Sequence, residues 1–276
     1  MGTAPSEVFV ERLTLRPTLA CNFSCKYCNE YSPHYSPSQV QPLDAVLRDL
    51  DRAMELIDRV RIFEVSGGEP LMYRPLPQVL RHIGGYSGRF EFFSLVTNGS
   101  IRFGDDVLSA LQEMGQKVRV ILDDYGPELS KHAQGNVELL AGRSIRFEQR
   151  DQYANVHLNG WLDFSDLTLK HDEDSAKRLF AECVCPQKLH WVVTLHNGRL
   201  YPCHVLRRCT ELGIVTENPR ECINIHDKSL TDGEIRCNIM GLYGLDVLSA
   251  CRYCGGFVEG RERIVPAEQS LRSALT

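Results

Sequence analysis

Eleven cysteines fall into two groups, and no other feature constrains the chain as much. Three lie between positions 21 and 28, none between 29 and 182, and eight from 183 to 254. The N-terminal stretch Met1-Gly2-Thr3-Ala4-Pro5-Ser6-Glu7 has neither a basic start nor an apolar core. No export signal is read there, and the expected compartment is the cytoplasm, where structural disulfides are rare. The thiols are therefore expected as ligands or free side chains, at two ends of a cysteine-free scaffold.

That scaffold alternates in period. Leu43, Val46, Leu47, Leu50, Met54 and Ile57 share one helical face, predicting an amphipathic helix over Pro42 to Val60, followed by a strand at Arg61 to Val65. Further expectations are helices over Leu76 to Ile83 and Val107 to Met114, and strands over Leu13 to Pro17, Phe90 to Val96 and Val118 to Leu122. Ser144 to Phe147 and Trp161 to Phe164 are expected as two more strands. Short apolar strands alternating with helices point to an α/β fold with a parallel sheet, whose ligands bind at the carboxyl ends of the strands. The net charge of -5 argues against a general nucleic-acid partner, since phosphate recognition wants clustered cations. No apolar run approaches the ~20 residues of a spanning helix, so no membrane partner is expected.

The loop Cys21-Asn22-Phe23-Ser24-Cys25-Lys26-Tyr27-Cys28 follows the first strand. Three thiolates from one short loop can grip three corners of an iron–sulfur cubane and leave the fourth iron open. An open coordination position marks a reactive metal site. A zinc site is the alternative, with His34 as the nearest further ligand in an irregular spacing. The C-x3-C-x2-C pattern, with Tyr27 before its last Cys, resembles the signature of the radical S-adenosylmethionine (SAM) superfamily. Ser66-Gly67-Gly68-Glu69-Pro70 and Thr97-Asn98-Gly99 resemble that superfamily's next two motifs, in the same order. The resemblance implies a partial (β/α)6 barrel and a [4Fe-4S] cluster on Cys21, Cys25 and Cys28 that binds SAM. It implies SAM contacts from Tyr27, Ser66, Gly67, Gly68, Glu69, Pro70, Thr97 and Asn98, with Glu69 at the amino group. On residue chemistry alone, the paired glycines let the backbone approach a ligand, while an ordinary turn keeps weight for the Thr97 and Asn98 side chains. Asp123 and Asp124, after the Val118 strand, are the candidate catalytic carboxylates, with solvated loop acids as the bland alternative. Glu64 is expected as a structural polar residue facing the barrel.

In the second group, Trp191 to Cys203 alternates and then turns at Asn197-Gly198, a strong hairpin signal. Cys251-Arg252-Tyr253-Cys254 is followed by two glycines, the tight turn a metal knuckle needs. Cys185, Cys203, Cys251 and Cys254 make four thiolates, with Cys183 able to replace Cys185; structural zinc is the alternative occupant. Gly-x4-Cys followed by C-x2-C resembles the Twitch form of the SPASM auxiliary-cluster domain, which implies one auxiliary [4Fe-4S] cluster in a small hairpin-plus-helix domain. The expected organisation is a barrel over 1–182, the auxiliary domain over 183–258 and a tail or helix over 259–276. Cys209, Cys222 and Cys237 are unassigned, with buried structural thiol and hydrogen-atom donor both open. His190, His196, His204 and His226 are expected as ordinary polar residues, although His204 can lie near the auxiliary site.

The resemblance implies a radical enzyme that cleaves SAM to a 5'-deoxyadenosyl radical and takes a hydrogen atom from its substrate, with an electron donor of flavodoxin or ferredoxin type. The compact layout resembles 2-deoxy-scyllo-inosamine dehydrogenase and the aminoglycoside epimerases. The first expectation is therefore dehydrogenation or epimerisation of a polar small molecule: an aminocyclitol, sugar or amino acid. A peptide- or protein-modifying radical SAM enzyme is the alternative, weighed down because the two modules leave no room for a leader-binding domain. A non-catalytic zinc-binding protein is the third.

Overall fold

The structure, a computed structural model, describes residues 5–36 and 40–270. Five strands each lead into a helix: β1 (Phe9–Leu15), α1 (Leu43–Leu56), β2 (Arg59–Val65), α2 (Leu76–Gly84), β3 (Phe90–Thr97), α3 (Asp105–Glu113), β4 (Val118–Asp124), α4 (Ala133–Gly142), β5 (Arg146–Asp151) and α5 (Glu173–Glu182). The remainder is α6 (Val184–Gln187), β6 (Val193–His196), β7 (Arg199–Tyr201), α7 (His204–Glu211), β8 (Ile223–Asn224) and α8 (Asp232–Gly241). All eight strands form one sheet in the order β5-β4-β3-β2-β1-β6-β7-β8, open at β5 and β8. β1 to β5 pair in parallel, and β6 adds in parallel to the other side of β1.

The two faces of the sheet differ because side chains alternate along a strand. Leu13, Phe63, Phe93 and Val120 face the helices and pack with Leu50, Val79 and Leu111 in the main core. Removing one such ring or branched chain costs ~3–5 kcal/mol. The other face carries Thr14, Glu64, Ser94 and Asp123, so that side of the sheet is polar. Glu64 accepts from Thr14 Oγ1 at 3.2 Å, lies 3.5 Å from Arg12 Nη1 and borders a cavity on this side of the sheet.

Two expectations are corrected, the end of the first helix and the strand at Trp161. The helix expected over Pro42 to Val60 ends at Leu56, since Ile57 is extended and Arg59 already pairs with Phe9. Trp161 to Phe164 is not a strand: the segment forms an isolated bridge from Trp161 to Ile264, so the sixth parallel strand is β6 instead. Described residues of the 259–276 segment form no helix and run back across the cysteine loop, while 271–276, like 1–4 at the other end, lie outside the described range. The Asn197-Gly198 hairpin forms, with positive φ at both residues. Its first strand belongs to the main sheet rather than to a separate one. Among the described residues, no helix is long and apolar enough to cross a membrane.

Candidate active site

The cysteine loop leaves the carboxyl end of β1 and is held by the turn after β2. Gly68 N donates to Thr18 O at 3.1 Å and Glu69 N to Ala20 O at 2.9 Å. A Cβ on Gly67 would meet Thr18 O at 2.2 Å, and one on Gly68 would meet Ala20 O at 2.0 Å; Gly67 also has φ +139°. The backbone that these glycines let approach is therefore the entry to the cysteine loop, not only a ligand. Glu69, expected at the SAM amino group, likewise has a task within the chain. Its carboxylate accepts from Leu71 N at 3.0 Å, Thr97 Oγ1 at 2.9 Å and Asn98 N at 2.8 Å, tying the β2 turn to the end of β3. Burial pushes this carboxyl up to about 7 against those three donors. Pro70 opens a short 3-10 turn and is buried.

Cys21, Cys25 and Cys28 line one cavity of about 290 Å³ together with Ser66, Gly67, Gly68, Thr97 and Asn98. Asn98 Nδ2 lies 3.6 Å from Cys21 Sγ and 3.2 Å from Asn22 Oδ1. Glu69 and Pro70 do not line this space. Asp123, Tyr125, Arg150 and Trp161 border both this cavity and a neighbouring one of about 370 Å³, into which Tyr27, His157, Cys185, Cys203 and His204 also face. Burial raises the Asp123 carboxyl despite nearby Arg150 and the 3.1 Å hydrogen bond from Gln152 Nε2. A buried carboxyl raised in this way is suited to moving a proton. Asp124 is on the opposite face of β4, where it accepts from Gly126 N and Gln149 Nε2 and lines neither cavity. The two acids expected together are thus separated by the pleat.

The second cysteine group is largely enclosed, with Cys185 and Cys203 also reaching the cavity of about 370 Å³. Cys183, Cys185, Cys203, Cys251 and Cys254 surround a hollow of about 30 Å³, walled by Leu179, Phe180, Trp191 and Val205. Burial, then the neighbouring Cys183 and Cys254, pushes Cys185 up to about 12. Cys209 and Cys222 are core side chains, and neither they nor Cys237 line the cavities of about 290 and 370 Å³. His204 packs 5.0 Å from Phe164, and burial lowers it to about 4.

One buried element has no motif to announce it. Arg16 grips Glu30 through two hydrogen bonds of 2.7 and 2.5 Å, and donates to Thr194 Oγ1 at 2.5 Å. Arg207 on α7 reaches the Glu30 carbonyl at 3.0 Å and its carboxylate at 3.4 Å. Burial alone would raise Glu30, but the two guanidiniums outweigh it and hold the carboxyl at about 2. The network joins a residue just after Cys28 to a helix just after Cys203. Only the position of Arg16 at a strand's carboxyl end hints at it in the sequence.

Residues 15–152, half of the chain, match the model of the Radical SAM superfamily. The chain belongs to the radical SAM superfamily. Among curated proteins, a "Probable GTP 3',8-cyclase" of Methanococcus aeolicus is 38% identical over 80 residues, 28% of this chain and 26% of that protein. The chain thus spans about a quarter of that relative's length, and 34% of Streptococcus suis SuiB, at a TM-score of 0.42 and 15% identity over 51% of this chain. Whole-length likeness is found with anSMEcpe, solved with bound AdoMet, at TM-score 0.53 and 15% identity over 93% of this chain and 92% of that one. BtrN, solved with AdoMet and 2-DOIA, gives TM-score 0.51 and 16% identity over 94% and 98%. These two share the fold of this radical SAM protein.

Membership of the radical SAM superfamily implies a [4Fe-4S] cluster and SAM. Among the described residues, no three His, Cys, Asp or Glu side chains converge on one point as ligands of a single ion would. A cubane spreads its thiolates over separate irons. Three thiols on the wall of one cavity, none in a disulfide, are the donor chemistry it needs.

Proposed function

We propose that this radical SAM enzyme dehydrogenates or epimerises a polar small molecule in the cavity that runs from the first thiol group to the second. Cys21, Cys25 and Cys28 are the cluster ligands, and Gly67, Gly68, Thr97 and Asn98 line the SAM site. When bound, cluster and SAM supply a 5'-deoxyadenosyl radical that takes a hydrogen atom from the substrate, given an electron from a donor of flavodoxin or ferredoxin type. Asp123 accepts a proton from, or orients, a hydroxyl or amine on the reacting carbon, while Tyr125 and Trp161 wall the reaction off from water. Tyr27 faces the substrate cavity and acts there rather than at adenine.

The thiols of Cys203, Cys251 and Cys254, with Cys185 or Cys183, form an auxiliary [4Fe-4S] site in a C-terminal unit over 183–258. The observation that carries this reading is the shared border: Asp123 touches the cavity of the first group, and the space beyond it ends at Cys185 and Cys203. Such a layout suits removal of a hydrogen atom at one end and transfer of an electron at the other.

The test is anaerobic incubation of reconstituted protein with dithionite, SAM and deuterated aminocyclitols, sugars and amino acids. Deuterium appearing in 5'-deoxyadenosine, with a ketone or an epimer as product, is expected. Label transfer from a peptide alone would replace the small-molecule reading with the peptide-modifying one.

A further inference from the structure

The segment from Arg263 to Ser270 crosses the cysteine loop as a strap. Ile264 N donates to Trp161 O at 2.9 Å, Lys26 N to Glu268 O at 2.8 Å and Ser270 N to Ser24 O at 2.8 Å. Between these anchors Ala267 is 2% exposed and packs with Phe23 and Cys25 in a small cluster apart from the main core. Its φ of +55° is unfavourable for a residue with a Cβ, so the packing imposes that conformation.

The decisive contact is Gln269. Its Oε1 accepts from Ser24 N at 2.8 Å, and its Nε2 donates to Ala267 O at 2.7 Å. A backbone N–H requires an oxygen and a carbonyl requires an N–H, so the amide can sit only one way round. The second N–H of the same nitrogen then points at Cys25 Sγ, 3.3 Å away. We infer that the 263–270 strap is a positioning element for the first cysteine loop and that Gln269, through its hydrogen bond to the Cys25 sulfur, sets the reduction potential of the cluster held there. This rests on Cys25 being a cluster ligand, as proposed above. A donor aimed at a ligating sulfur favours the more negative, reduced state, and hydrogen bonds to sulfur are among the factors that set cluster potentials. The same strap places Arg263 on the wall of the substrate cavity, six residues from the thiol contact.

Two measurements test this without relying on turnover. The first is the midpoint potential, followed by electron paramagnetic resonance, of the cluster whose signal responds to added SAM. Gln269→Leu and Gln269→Glu both remove the donor to Cys25 Sγ, and each should shift the reduction equilibrium toward the oxidised form about tenfold, or about 59 mV for one electron. Reduction equilibria within about twofold of wild type, or about 18 mV, in both variants overturn the inference. If both load no iron under conditions that load the wild type, while their circular dichroism is unchanged, the positioning role is supported.

The second is hydrogen exchange on the iron-free chain. The Ser24 and Lys26 amides should be protected in the wild type and exposed in Ala267→Glu, which cannot fit its buried site. Unprotected amides in the wild type overturn the strap. A wild-type chain that takes up no iron at all overturns the cluster assignment, and the strap's role with it; iron uptake without a potential shift overturns the strap alone.

Discussion

The two cysteine groups differ in how much open space they meet. Cys21, Cys25 and Cys28 sit on the wall of a cavity of about 290 Å³ shared with Asn98, Asp123 and Arg150, where a polar ligand can enter beside them. The five thiols of the second group enclose about 30 Å³ among Leu179, Phe180 and Trp191. That is room for about two waters and excludes any nucleoside. A metal site that must bind a substrate keeps a side open, whereas one that only holds structure or passes an electron can be closed. The first group thus meets open space with all three thiols, whereas of the second only Cys185 and Cys203 also reach the cavity of about 370 Å³, and the proposed reacting and supporting roles rest on that difference.

The sharpest way to break this comparison is to remove one thiol from each side. Cys25→Ala should abolish 5'-deoxyadenosine formation, whereas Cys254→Ala should retain part of it and lose substrate turnover. Full turnover by Cys254→Ala would remove any electron-transfer role from the closed group. Iron and sulfide analysis sharpens the same point, because wild type should hold about eight of each and either variant about four.

Next in size is the link between the groups. Arg207→Met leaves the Arg16–Glu30 pair without its second cation in a site where Arg207 is 1% exposed. It should cost ~3–5 kcal/mol, read from urea unfolding. A loss below ~1 kcal/mol would mean that Arg16 alone neutralises Glu30.

Asp123→Asn should slow turnover by roughly 10²-fold while SAM cleavage continues, and Asp124→Asn should change neither. Burial raises Asp123, so its carboxylate is lost at a higher pH than an ordinary acid's. Activity that needs the ionised form should then fall on the acid side above the usual carboxylate range, and this limb should be absent in Asp123→Asn. An equal loss in Asp124→Asn would contradict the separation of the two acids across β4.

The smallest expected effect is Glu69→Gln. It turns an acceptor of three donors into a group with one oxygen, at a cost of ~1–3 kcal/mol in the urea midpoint, with SAM binding affected only through the loop it holds. A selective loss of SAM affinity with unchanged stability would return Glu69 to direct ligand contact.

Much of the scaffold was legible because its period is strict. The pattern marks the strands at Phe90 and Val118 to within two residues of their ends, and the Asn197-Gly198 dipeptide marks its turn. α4 lacks that periodicity: Ala133–Gly142 carries two internal or terminal glycines, and the buried polar Asn136, which bonds Phe103 N and Ile101 O, stands where an apolar residue would mark the face. Trp161 to Phe164 alternates like a strand, yet its partner is a single residue of the strap, which local pattern cannot supply. The motif residues were found where chemistry demanded an unusual type, as with the glycines at 67 and 68. Their physical task, letting two stretches of backbone touch, was visible only in three dimensions.

The sequence by itself determined the superfamily, the parallel α/β scaffold and the two sets of thiols, because each depends on residues close together along the chain. The tertiary structure decided which acid faces the cavity, that β6 extends the main sheet beside β1, that Arg16, Glu30 and Arg207 share one buried network, and that Gln269 reaches Cys25. Those are contacts between residues far apart in the chain, and their energies depend on burial and direction, neither of which a linear pattern encodes.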